Sequence, residues 1–185
     1  PAKFAIGLLL LSSSFFLVAF ASRLFEQQQV QVSPWWLIGV YLLHALGDEE
    51  ARRALGHHDV PVGALVVRDG QVLASRHNER ELTGDPTAHA EVLALRDAAT
   101  AVGSWRLDGC TMVVTLEPCV MCGGALVNAR MGRLVYGAPD LGAGACLSLY
   151  NVCDDPRLNH RLEVVAGVEA VTCAALLTDF FQAKR

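Results

Sequence analysis

Thr87-Ala88-His89-Ala90-Glu91 and Glu117-Pro118-Cys119-Val120-Met121-Cys122 are the two stretches from which this chain is best read. One histidine and two cysteines are the ligand types of a zinc site with three protein ligands, whose fourth tetrahedral position stays open to water. Both stretches read as helix starts. Thr87 has the side chain of a cap, ahead of a run predicted as helix from about Ala88 to Ala101. Pro118 lacks an N–H and suits the first turn of a second helix, Val120 to Ala129. Cys119 and Cys122 are three apart, so one helical turn sets both sulfurs on one face. Helix amino termini carry partial positive charge, which favours the thiolates that a metal needs. For His89 to reach the same ion, the two helices must lie side by side with their starts at one point.

Outward from this pair the pattern alternates. Ala64 to Arg68 and Val72 to Ala74 flank Asp69-Gly70, a strong short hairpin signal. Cys110 to Leu116 is a β-branched run and predicts a buried strand; Arg133 to Tyr136 and Leu162 to Val165 are further strands. Tyr41 to Gly56 and about Glu169 to Ala183 have helical spacing. A hairpin followed by alternating helices and strands predicts an α/β domain with helices covering a mixed sheet.

The chain has 185 residues, 52% of them hydrophobic, which is enough for a sizeable core. The apolar excess is uneven. Phe4 to Phe25 is nearly continuous and, at roughly 20 residues, long enough to span a bilayer. A second run covers Trp35 to Leu46, and ordinary soluble composition begins at Asp48. The expected boundary is near Gly47, with an apolar extension over 1–47 and a soluble domain over 48–185. As a signal peptide the run has Lys3 and Ala19-Phe20-Ala21; as a membrane tether it has interfacial Trp35 and Trp36. Pro1-Ala2-Lys3-Phe4-Ala5-Ile6-Gly7-Leu8-Leu9-Leu10-Leu11 and Val32-Ser33-Pro34-Trp35-Trp36-Leu37-Ile38-Gly39-Val40-Tyr41-Leu42-Leu43-His44 resemble transmembrane helices of a proton-coupled oligopeptide transporter. Two helices make no transport site, so the readings are a fused segment or a membrane tether.

A net charge of −4 gives no bulk basic field, so any polynucleotide contact must be local. Six cysteines with one C-x-x-C fit a reducing compartment and a metal better than a disulfide framework. Cys110, Cys146, Cys153 and Cys173 read as small core hydrophobes.

Zinc brings the pKa of its water from about 15.7 towards roughly 7. Glu91 would take that proton and hand it on, help worth about 10²–10⁴-fold. Alone, His-x-Glu is a weak signal, and C-x-x-C is more often structural or redox. A closed structural site needs a fourth protein ligand, and His57, His58, His77 and His160 show no second ligand spacing. A thioredoxin-like use leaves His89-Ala90-Glu91 unexplained.

His-x-Glu followed by Pro-Cys-x-x-Cys is similar to the signature of zinc nucleobase deaminases. The flanks narrow the resemblance. Pro61-Val62-Gly63-Ala64, Asn78, Asp85-Pro86-Thr87-Ala88-His89-Ala90-Glu91, Thr115 to Ala125, Val135-Tyr136-Gly137-Ala138, Asn159-His160-Arg161 and Cys173 to Phe181 resemble the bacterial tRNA-specific adenosine deaminases, from about Asp48 to Arg185. That resemblance implies a cytidine-deaminase-like three-layer α/β/α fold with a mixed five-stranded sheet, in a cytoplasmic homodimer. It implies conversion of adenosine to inosine at the wobble position of a tRNA anticodon. One Zn²⁺ per subunit would sit on His89, Cys119 and Cys122, with Glu91 as proton shuttle. Asn78 would hydrogen-bond the flipped base, while Val62 and the Ala88 backbone line the pocket. The anticodon loop would cross surfaces near Asp140, Asn159, His160 and Arg161. The plainer readings are a turn-capping Asn78 and a solvated Arg161. Asp140 stands where some relatives carry arginine. The family's first helix would begin here in the transporter-like segment, with Leu42, Leu43 and Leu46 covering the sheet. The alternatives are a guanine- or cytosine-type free-base or nucleoside deaminase, and an inactive membrane-tethered binding module.

Overall fold

Asp69 and Gly70 turn the chain with φ of 51° and 76°, the positive-φ pair that a tight hairpin requires. They join β1 (Gly63–Arg68) to antiparallel β2 (Gln71–His77). The computed structural model describes residues 34–184. It adds β3 (Thr111–Leu116) antiparallel to β1, then β4 (Arg133–Ala138) and β5 (Glu163–Ala166) in parallel, giving the order β2-β1-β3-β4-β5. Five helices accompany the sheet among the described residues: α1 (Pro34–Ala54), α2 (Arg80–Thr83), α3 (Ala90–Val102), α4 (Val120–Asn128) and α5 (Ala170–Ala183). The mixed five-stranded α/β sheet is the one expected.

Strand alternation sorts the core into two faces. Ala64, Val66, Met112, Val114, Leu134 and Tyr136 meet Ala90, Ala94, Leu95 and Ala98 of α3 and Leu126 and Val127 of α4. The alanines of α3 recur at helical spacing and let that helix approach the sheet closely. Leu65, Val113 and Val135 are buried on the other face, under α1 and α5. Two glycines seat those helices. A Cβ on Gly63 would lie 2.1 Å from the Gly47 carbonyl oxygen of α1, and one on Gly137 would lie 2.5 Å from Cys173 Sγ of α5. The result is three layers, α/β/α.

The chain divides into two compact units, Pro1–Val40 and Tyr41–Arg185, and the architecture described is that of the second. Gly47, where a boundary was expected, lies inside α1 and against the sheet. The helix seats through Gly47, Ala51 and Ala54, all buried, rather than through Leu46, which is 46% exposed. Small residues win because Gly63 brings helix and strand too close for a leucine between them. The side chains of Leu42 and Leu43 lie outside what is described, as does the apolar run over 4–25. Among the described residues no helix is long and apolar enough to cross a membrane. Thr87 does not cap α3: its N–H and hydroxyl are both held by Asp85 Oδ1, at 2.7 Å each, and the helix begins at Ala90 with His89 as N-cap. Cys110, Cys146, Cys153 and Cys173 are buried free thiols.

Candidate metal centre and substrate cavity

His89 and Cys119 are the N-cap residues of α3 and α4, each with extended backbone (φ −74°, ψ 147° and φ −71°, ψ 176°). Extended caps set both side chains ahead of the helix ends, and Cys122 returns from the first turn of α4 to join them. His89 Nδ1 lies 3.7 Å from Cys119 Sγ and 3.5 Å from Cys122 Sγ, with the two sulfurs 3.6 Å apart. A tetrahedral ion with Zn–S of about 2.3 Å and Zn–N of about 2.05 Å requires edges of about 3.8 Å between sulfurs and about 3.6 Å between sulfur and nitrogen. The triangle therefore fits zinc. Among the described residues it is the one His/Cys/Asp/Glu group close enough to hold an ion.

The electrostatics follow from hydrogen bonds and burial. The Cys119 thiol is held down to about 3, chiefly by hydrogen bonding with Cys122 and then with His89, despite burial. Cys122 is pushed far above the ordinary thiol range by the same contact with Cys119 and by burial. His89 is raised, first by its hydrogen bond with Cys119. Glu91, in the first turn of α3, is 4% exposed, and burial pushes its carboxyl up. An upward shift of a carboxyl is the direction that suits general acid–base work.

A cavity of about 390 Å³ opens beside the triangle. Val60, Val62, Asn78, His89, Glu91, Cys119 and Asp140 line it, with Leu177 and Phe181 of α5 on one wall and Arg80 at the rim. Asn78 is 6% exposed, and its Nδ2 donates to the Val60 carbonyl at 3.4 Å. Its Oδ1 is buried with no protein partner, an acceptor available to a ligand's N–H.

Thus the chain brings together His89, Cys119, Cys122, Glu91, Asn78, Val62 and Asp140. Ala88 differs from expectation. It is 1% exposed, its N–H donates to Asp85 and its carbonyl accepts from Glu79, so its backbone is already engaged behind the cavity. Asn159, His160 and Arg161 are not at the cavity either. Asn159 accepts from Arg130 at 2.7 Å, His160 Nε2 donates to the Met131 carbonyl at 2.7 Å, and Arg161 pairs with Asp154 at 2.6 Å. The first two contacts lie just past the carboxyl end of α4, whereas Asp154 follows Cys153, which packs against Gly123 near the start of that helix.

Arg80, Phe181, Asp59 and Glu117 were given no individual role from the sequence. Arg80 and Phe181 reach the cavity because α2 and the end of α5 border it. Asp59, buried beneath α2, accepts the N–H groups of Glu81 (2.9 Å) and Leu82 (3.1 Å) and pairs with His57 (2.8 Å). Burial would raise the Glu117 carboxyl, but the Ser148 hydroxyl and the N–H groups of Ser148, Leu147 and Asp140 outweigh it and hold the group below the usual range. Its position before Pro118-Cys119 was the available signal.

A His/Cys/Cys triangle able to hold a cation, with a buried carboxyl at its side on a three-layer α/β/α fold, fits the hydrolytic deaminase class. Comparison with known proteins is specific: the profile of the MafB19-like deaminases matches residues 42–185, and the chain belongs to that family. The tRNA-specific adenosine deaminase of Bacillus subtilis is 42% identical over 146 residues, 79% of this chain and 89% of its own length. That of Aquifex aeolicus is 42% identical over 74% of this chain and 89% of its own. A structure from studies of A-to-I editing by tRNA:A34 deaminases at the wobble position has a TM-score of 0.70 at 40% identity, covering 72% of this chain and 97% of that one. The guanine deaminase from Nitrosomonas europaea, 24% identical with a TM-score of 0.61 over 74% of this chain and 81% of its own, shares the fold alone. The transporter resemblance gains no support, and its last residues, from 42 onward, fall within the deaminase match.

Proposed function

We propose that this chain hydrolyses adenosine to inosine at the wobble position of a tRNA anticodon, with one Zn²⁺ on His89, Cys119 and Cys122. The observation that carries the reading is the 3.5–3.7 Å ligand triangle beside buried Glu91, in a chain 42% identical to a tRNA-specific adenosine deaminase. When bound, zinc supplies a water acidic enough to react near neutral pH. Glu91 would carry one proton of the attacking water to the ring nitrogen and then the remaining hydroxyl proton to the departing amine, so that water and adenosine become inosine and ammonia. Asn78 Oδ1 accepts a hydrogen bond from the base, Val62 packs on the ring, and the target nucleotide must leave its stack to enter. Asp140 meets the anticodon loop at the cavity rim. Asn159, His160 and Arg161, outside the cavity lining, would meet parts of the anticodon loop beyond the target base.

A homodimer is part of the reading. Val120, Met121, Leu147, Leu149 and Tyr150 are exposed apolar residues on the start of α4 and the loop packed against it, which supports a partner there. The deaminase unit functions in the cytoplasm, with the residues before Tyr41 as a separate extension. The test is inosine formation in an anticodon stem-loop together with zinc content. Stoichiometric zinc and inosine are expected; ammonia release from guanine or cytosine, with no inosine in the stem-loop, overturns the reading.

A further inference from the structure

Glu117 stands two residues before the metal turn but takes no part in the triangle. Its carboxylate is 2% exposed. Oε1 accepts the N–H groups of Cys146 (3.0 Å), Leu147 (2.8 Å) and Ser148 (2.9 Å). Oε2 accepts the N–H of Asp140 (3.1 Å) and the Ser148 hydroxyl. Three successive amides on one oxygen form an anion nest, and such charge-assisted bonds are stronger than neutral ones. Gly144 makes the room: a Cβ there would lie 2.5 Å from Glu117 Cδ and Oε2, and 2.5 Å from the Asp140 carbonyl. The same loop is joined to the metal turn by backbone, through a Cys119–Gly144 bridge and the Ala145 N–H on the Pro118 carbonyl at 2.9 Å. Its other side forms cavity wall, through Pro139, Asp140, Leu141 and Ala143.

We infer that Glu117 is a positioning residue: a buried carboxylate that holds the 139–148 loop, and with it the substrate-facing wall, in place beside the Cys119 turn. The inference rests on the deaminase reading of the cavity. Its consequence is that RNA binding depends on this carboxylate while metal retention does not.

Glu117→Gln keeps the volume but turns an NH₂ towards groups that are themselves donors. Zinc stays at one per chain and kcat on saturating anticodon stem-loop stays within about threefold, while KM rises about tenfold, the equivalent of about 1.4 kcal/mol. Hydrogen exchange gives a readout independent of activity. The amides of Cys146, Leu147 and Ser148 lose protection while those of β3 and β4 keep theirs. Gly144→Ala keeps every charge but drives a methyl at the carboxylate, and gives the same KM-dominated loss and the same local exchange. A role only in stability lowers zinc content and apparent kcat at unchanged KM, with exchange raised throughout. That pattern, or parental protection of residues 146–148 in Glu117→Gln, overturns the proposal. If Glu117→Gln does not fold, Gly144→Ala and Ser148→Ala are judged by the same readouts. If the parent forms no inosine, the functional reading fails, while exchange still decides the role of Glu117.

Discussion

Gly63→Ala tests how α1 is seated, and its cost can be worked from distances. The new Cβ would fall 2.1 Å from the Gly47 carbonyl oxygen, 2.7 Å from the Ala51 nitrogen and 3.0 Å from Glu50 Cβ. The two closest atoms are helix backbone, so no side-chain rotation relieves them. Ordinary contact begins near 3.4 Å, so helix and strand must part by about 1.3 Å (3.4 − 2.1). A gap of about 0.5–1 Å already forfeits a quarter to a half of a van der Waals contact. The seat holds Ala51 and Ala54, both fully buried. The expected loss is therefore about 3 kcal/mol, the upper end for overpacking, or roughly 10 °C in Tm for a domain of this size. Gly124→Ala is the control. It lies within α4, a Cβ there meets nothing within 4 Å, and removing a helical glycine gains up to about 1 kcal/mol. Urea unfolding followed by circular dichroism in excess zinc measures both, at a common slope. The reasoning is refuted if Gly63→Ala lies within about 0.5 kcal/mol of the parent, the range of an inconsequential surface change. Val62 accepts the Asn78 N–H at 3.0 Å beside this residue, so the folded fraction of Gly63→Ala also loses kcat/KM.

Glu91→Gln retains zinc but loses turnover by about 10⁴-fold, the upper end for general acid–base help, because the amide cannot carry the proton; near-normal activity would remove Glu91 from the mechanism. Asn78→Ala deletes the buried Oδ1 and raises KM by about 1–3 kcal/mol in equivalent binding energy, with zinc unchanged; steady-state kinetics on the stem-loop decide it, and an unchanged KM contradicts a contact to the base. Asp59 governs an acid limb. Burial works to raise its carboxyl, but the Glu81 and Leu82 amides and His57 outweigh it, so the folded group ionises below its ordinary 3.8. The stability it contributes is present above pH 3.8 and is lost as pH falls through the lower folded value. The stability gap between parent and Asp59→Asn should close over that window, and a gap independent of pH there refutes the assignment.

What could be read without coordinates was local. Asp69-Gly70 demands positive φ wherever it stands between extended segments, and the hairpin followed. The β-branched run before Glu117 makes a strand because its side chains fit a pleated surface. His89, Cys119 and Cys122 were legible as ligand types because one turn of helix relates the two thiols. Boundaries drifted where a side chain had a competing partner, as when Asp85 captured Thr87. Asn159-His160-Arg161 was read as surface near the anticodon loop; motifs carry no distances, and the fold sets these residues outside the cavity lining. Gly47 looked like a border because composition changes there, although the glycine is where helix and strand touch.

The clearest division between the two levels concerns Glu91 and Glu117. The sequence by itself determined that a carboxylate lies close to each set of ligands, and that a metal with an open position suits those ligand types. Only the tertiary structure decided what each carboxylate does. Around Glu91 burial outweighs the hydrogen bonds it receives, so its carboxyl is shifted up beside the cavity. Glu117 is enclosed by the amides of a loop distant in sequence, so it stays ionised and holds the cavity wall. The same side chain is shifted in opposite directions because long-range folding sets the donors around it, and the sequence does not list those neighbours.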